Sequence, residues 1–170
     1  MNSGQILITI AAMALLSATI LNVNKNSLTT SLSMTETKYK ILAVSLANTL
    51  IEEATSKAFD EATTNNVLIT NVNNLSTNLK ADDKEIKRIL FDDIDDYNNY
   101  SETTDADSTY DYATMNIICK VRYVDPYKSL DSVDYKTWHK RITVSVNSPF
   151  FNEGSENITL SKIISHYYFR

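Results

Sequence analysis

This chain has almost none of the residues that make tight turns or covalent ties. Its 170 residues include two glycines, two prolines and one cysteine. A single cysteine, Cys119, cannot close an intrachain disulfide or build a cysteine-based zinc site. The two glycines, Gly4 and Gly154, are too far apart for a Walker loop and too few for a dinucleotide fingerprint. Turns therefore fall to Asn, Asp and Ser, which are abundant. Basic residues are outnumbered 16 to 21, giving a net charge of −5. No Lys/Arg patch follows a strand or helix, so a nucleic-acid partner is not expected. Neither a nucleophile elbow nor an HExxH motif occurs, which argues against an enzyme, a catalytic residue, a metal or a cofactor. His139 and His166 stand alone and read as strand residues.

The most telling absence is at the start. Residues 1–24 carry no Asp, Glu, Lys, Arg or His, and residues 6–23 are almost wholly apolar. Those eighteen residues would span about 27 Å as a helix, just within reach of a bilayer core. Nine of them are Ile, Leu or Val, together favouring insertion by roughly 3–5 kcal/mol before Thr9, Ser17 and Thr19 are subtracted. A secretory signal peptide normally opens with positive charge and closes on small residues. Met1-Asn2-Ser3-Gly4 and Leu21-Asn22-Val23 offer neither. A plain membrane anchor is a second reading, although anchors ordinarily lead into a flexible linker.

The stretch beyond the apolar run reads as more helix. Tyr39, Ala43, Leu46, Leu50, Ala54 and Ala58 recur at three- and four-residue spacing, with Leu42, Ala47, Ile51 and Phe59 widening the stripe. No Pro or Gly interrupts residues 5–65, so one long helix is the economical reading. Two helices parted by a loop near Asn24 are the alternative. Tyr39, Leu42, Leu46, Leu50 and Phe59 are the expected contacts from helix to head.

The expected division is an apolar helix over 1–33 and a head over 34–170. Within the head, the amphipathic part of the helix covers 34–64. Asp82 as N-cap and Glu85 three residues on form a capping box, and Ile86, Ile89, Leu90, Ile94 and Tyr97 predict a short helix over 83–96. Residues 97–111 read as a long acidic loop. For the acidic stretch 92–111 a solvated surface is the first reading and Ca²⁺ binding the second. Period-two alternation predicts strands at about 112–124, 137–147 and 157–169. Short links between them imply an antiparallel meander, packed by one face on the helix. The fold class is α+β. Asn74, Asn99 and Asn157 head Asn-x-Ser/Thr sequons, which glycosylation would require on the surface.

This order of elements resembles the type IV pilin and pseudopilin family over essentially the whole chain. Two local runs carry the likeness further. Gly4-Gln5-Ile6-Leu7-Ile8-Thr9-Ile10 looks like a prepilin peptidase region, and Phe91-Asp92-Asp93-Ile94-Asp95-Asp96-Tyr97-Asn98 is similar to an Asp-rich segment of some minor pilins of the mannose-sensitive haemagglutinin type. The family usually has a basic leader before the glycine and Glu as fifth mature residue. Here that position is Thr9 if cleavage comes after Gly4, or Gln5 if Met1 is the start.

The resemblance implies processing between Gly4 and Gln5 and a stay in the inner membrane. Export as an extracellular filament on the cell surface would come next. Its implied partners are prepilin peptidase, the pilus assembly machinery, the membrane and further copies of the chain in a helical homopolymer. Ile6, Leu7, Ile10, Ala14, Leu15, Ala18 and Leu21 are the expected self-assembly residues.

Overall fold

A computed structural model describes residues 2–104 and 114–166. A single helix, α1 (Ser3–Thr55), precedes short 3₁₀ turns and five strands: β1 (Ser101–Thr104), β2 (Met115–Asp125), β3 (Ser129–Ser132), β4 (His139–Asn147) and β5 (Asn157–Ser165). The strands form one antiparallel sheet ordered β1-β2-β4-β5, with β3 pairing on β2. The class is α+β. The chain divides into two compact units, Met1–Lys38 and Tyr39–Arg170.

In the first unit, no Pro or Gly occurs after Gly4, so nothing breaks the helical ladder. The hydroxyls of Thr9, Ser17 and Thr19 donate to carbonyls three or four residues back, at 2.8–2.9 Å. Each hydroxyl is thereby satisfied by its own helix, which lowers its cost in an apolar surrounding.

In the second unit, Ala43, Ala47, Leu50, Ile51 and Ala54 of α1 are buried with Ile117, Cys119, Val121, Ile142, Val144 and Val146 of the two central strands. This is a long helix packed along an antiparallel sheet, a pilin-like architecture. The small Ala side chains let helix and sheet approach closely, while each buried Leu, Ile or Val contributes about 1.5–3 kcal/mol. Along β2 burial alternates strictly from Met115 to Tyr123, and along β4 Lys140, Ile142, Val144 and Val146 face inward.

Helix α1 stops at Thr55, short of the expected residue 64. The cause lies far along the chain. Ala58 gives its N–H to Asp92 O (2.9 Å) and takes Ile94 N–H on its carbonyl (3.0 Å). Groups engaged in that parallel bridge are no longer free to extend the helix. Phe59 is buried in the core, as a residue beyond the helix rather than on it.

The expected helix over 83–96 is absent. In its place stand two 3₁₀ turns, Arg88–Leu90 and Asp95–Tyr97. Asp82 and Glu85 do bond to each other, Asp82 N–H to Glu85 Oε2 at 3.2 Å, but they close a turn without a helix behind it. Carboxylates take the amides that a helix would need: Asp96 Oδ2 accepts from Asp92 and Asp93, and Asp93 Oδ1 accepts from Asp95 and Asp96. Ile86 and Ile89 remain exposed at 86% and 85% while Ile94 and Tyr97 are buried, so the expected stripe does not form one covered face.

The region expected as a loop from residue 97 instead supplies strand β1, while residues 105–113 lie outside those described. The three expected strands are present as β2, β4 and β5. The ends assigned to residues 112–113 and 167–169 also fall outside the described residues.

Candidate functional site

Two features of the described residues are unusual for a small protein: a bare apolar helix and a buried ionic cluster. Residues 3–35 of α1 are exposed without exception. The self-assembly residues expected from sequence all lie there, with Ile6 43%, Leu7 69%, Ile10 60%, Leu15 70% and Leu21 69% exposed, and Ala14 and Ala18 exposed between them. Gly4 and Gln5 sit in the first turn. This helix is long and apolar enough to cross a membrane, and no part of its apolar window is buried. Of the expected helix-to-head residues, Leu50 is buried, while Tyr39, Leu42 and Leu46 pack half-buried against the core.

The second feature centres on Lys140, a wholly buried lysine on β4. Its Nζ donates to Phe59 O (2.8 Å), Asp60 Oδ2 (2.7 Å), and Asp95 Oδ1 and Oδ2 (2.6 and 2.8 Å). The rings of Phe59 and Tyr123 lie 4.6 and 5.3 Å from the ammonium. Asp60 caps the 3₁₀ turn Glu61–Asn66 by accepting from Ala62 N–H. It also accepts from the amide and hydroxyl of Ser76. Burial by itself would raise Asp60, but Lys140 and the Ser76 donors outweigh it and hold the carboxyl below its ordinary value.

Asp95 is less well supplied. Burial pushes it up to about 7, Lys140 opposes that rise, and the nearby Asp60 adds to it. Asp93 is the extreme case. Burial, then the charges of Asp95 and Asp96, push it up to about 9. One of its oxygens, Oδ2, is buried with no hydrogen-bond partner. The acidic run therefore departs from the solvated surface expected of it, since Asp93, Asp95 and Asp96 are all buried.

These residues escape a reading based on hydrophobic alternation because they are polar at core positions. One signal does exist. Lys140 shares its parity with Trp138, Ile142, Val144 and Val146, and a lysine on the inward face of a central strand calls for buried anions.

The raised Asp93 fixes the sense of a pH dependence. Unfolded, this carboxyl titrates near its ordinary 3.8. Between about 4 and 9 the folded chain keeps a proton that the unfolded chain has released, so stability falls as pH rises through that window. Asp93→Asn retains an acceptor oxygen and carries no charge. It is expected to flatten the decline, recovering about 2 kcal/mol at pH 9. Urea unfolding at pH 5, 7 and 9 measures this; parallel curves for both proteins would refute it.

Glu85, Asp92 and Asp96 each bring one carboxylate oxygen within 4.8 Å of the others. Burial and the neighbouring charges of Asp96 and Asp92 push Glu85 up to about 7, against a hydrogen bond from the Asp82 amide. Three oxygens are about half of what Ca²⁺ takes, and Asp96 Oδ2 already accepts two amides. His139 lies on β4 with its Nδ1 2.7 Å from Ser165 Oγ, and His166 comes just after β5, stacked on Trp138. No family model, curated protein or solved structure matches the chain.

Proposed function

We propose that this protein is the structural subunit of an extracellular, type IV pilus-like filament that assembles by bundling its N-terminal helices. The observation that carries the reading is the uncharged window of α1, exposed along its whole length. In water such a surface costs roughly 25 cal/mol per Å² of apolar area, so it must be covered by lipid or by protein. Before assembly the cover is the membrane, where every backbone group of the helix is satisfied within the segment. After export the cover is other copies of the same helix. Ala11, Ala12, Ala14, Ser17 and Ala18 permit close approach, and Leu7, Leu15, Leu16 and Leu21 fill the space between neighbours. A contact that repeats without closing generates an open helical filament. Prepilin peptidase acting beside Gly4, and pilus assembly machinery drawing the helix from the bilayer, complete the scheme.

Negative-stain microscopy of material sheared from the surface of expressing cells is the test. Filaments that bind an antibody raised against residues 39–170 are the expected result. Protein found only in the membrane fraction, as a monomer in detergent, would replace the filament by a minor pilin, a pseudopilin or a tethered binding domain.

A further inference from the structure

Three features meet at Lys140. Its amine is wholly buried and covered by the rings of Phe59 and Tyr123. Both Asp95 oxygens lie within 2.8 Å of Nζ, which brings the carboxyl carbon between them to contact distance. A second carboxyl, that of Asp60, reaches the same nitrogen at 2.7 Å. Among the described residues no other lysine is buried.

We propose that Lys140 and Asp95 join in an intramolecular isopeptide bond, made by the folded chain itself with Asp60 as proton carrier. The two carboxyls differ in the way this chemistry needs. Asp60 is held as the carboxylate by donors from Ala62 and Ser76, and its Oδ2, 2.7 Å from Nζ, is the carboxylate oxygen placed to take a proton from the amine. Asp95 takes hydrogen bonds from Lys140 on both of its oxygens, and its raised affinity for a proton favours the neutral acid, which is the electrophilic form.

The proton count closes. An ammonium on Lys140, a carboxylate on Asp60 and a carboxylic acid on Asp95 sum to zero charge. Passing one proton from Nζ to Asp60 leaves a free amine beside two neutral acids, still at zero charge. The amine lone pair then attacks Cγ of Asp95 and the carbonyl electrons move onto oxygen. Asp60 delivers its proton to the Asp95 hydroxyl, which leaves as water, and takes up a second proton from Nζ. One Nζ–Cγ bond forms and one Cγ–O bond breaks. The products are an amide, a water molecule and protonated Asp60, with no oxidant or reductant involved. The new bond would tie β4 to the turn Asp95–Tyr97 across 45 positions of sequence, in a chain whose single cysteine cannot supply a disulfide.

Intact-mass spectrometry of the full-length protein, together with fragmentation of its tryptic peptides, is the test. The expected mass is one water below that of the sequence. Cleavage after Lys140 should be lost, and one branched peptide should hold both Lys140 and Asp95. Lys140→Arg should return to the sequence mass, and so should Asp60→Asn while keeping the wild-type circular dichroism. An unaltered wild-type mass with free cleavage after Lys140 would overturn the proposal. A water loss that survives Lys140→Arg, or a branch at Asp60, would do the same. Undiminished cross-linking in Asp60→Asn would remove Asp60 from the role given to it.

Discussion

Lys140→Met is expected to destabilise the protein by about 3–5 kcal/mol, because it strands Asp60 and Asp95 in the interior without a cation. That is a large part of the 5–15 kcal/mol typical of a whole domain. The melting temperature should fall by an amount on the order of 10–20 °C, and any bond between Lys140 and Asp95 is lost with the amine. Asp60 is the more damaging orphan. It also receives the Ala62 amide and the Ser76 amide and hydroxyl, so repulsion there disturbs the turn Glu61–Asn66 and the segment carrying Ser76.

The comparison that isolates charge from packing is the triple variant Lys140→Met, Asp60→Asn, Asp95→Asn. Removing both acids together with the lysine should recover more than half of the loss, since the penalty comes from acid groups left without their cation. Thermal melts of the full chain in detergent, read by circular dichroism at pH 7, measure both variants. A single variant that melts with the wild type would show that the cluster contributes nothing.

Ala14→Arg should have the next largest effect, on assembly rather than on folding. An arginine near the middle of the apolar window costs about 2.5–3.5 kcal/mol of insertion free energy. Filament yield should therefore fall by about two orders of magnitude. Ala14 is exposed on a stretch of helix that belongs to the first unit, so the melting of residues 39–170 should not change.

Ala14→Leu separates the two covers proposed for the helix. It is more apolar, so membrane insertion should be unimpaired, but its bulk at a close-approach position should still lower filament yield. Membrane fractionation and quantitative microscopy of sheared material read the two outcomes side by side. Normal yield from Ala14→Arg would refute a filament core built on this helix face.

How far these sites were legible in advance differs between them. The apolar helix was plain, since a run with no charge and no helix breaker is a statement about composition alone. The core stripe was also plain, and Ala43, Ala47, Leu50, Ile51 and Ala54 are buried at the spacing that their sequence displays. Strands β2 and β4 announced themselves by alternation. Strands β1 and β3 did not: Ser101-Glu102-Thr103-Thr104 and Ser129-Leu130-Asp131-Ser132 have no apolar periodicity. They are strands because β2 offers each of them a row of backbone partners, Glu102 beside Ile117 and Val124 beside Ser132. The segment 83–96 misled for the opposite reason. Its apolar residues sit at helical spacing, yet the neighbouring carboxylates capture the amides first.

Taken alone, the order of residues determined the uncharged helix, its amphipathic continuation and the alternating strands, because each depends on hydrophobic period within a few turns or pleats. Tertiary structure decided where α1 ends, what the acidic run does and why a lysine lies inside the sheet. All three depend on groups brought together from residues 58–60, 92–96 and 140, tens of positions apart. Whether a carboxylate is solvated or buried is a property of what folds over it, and no local pattern records that.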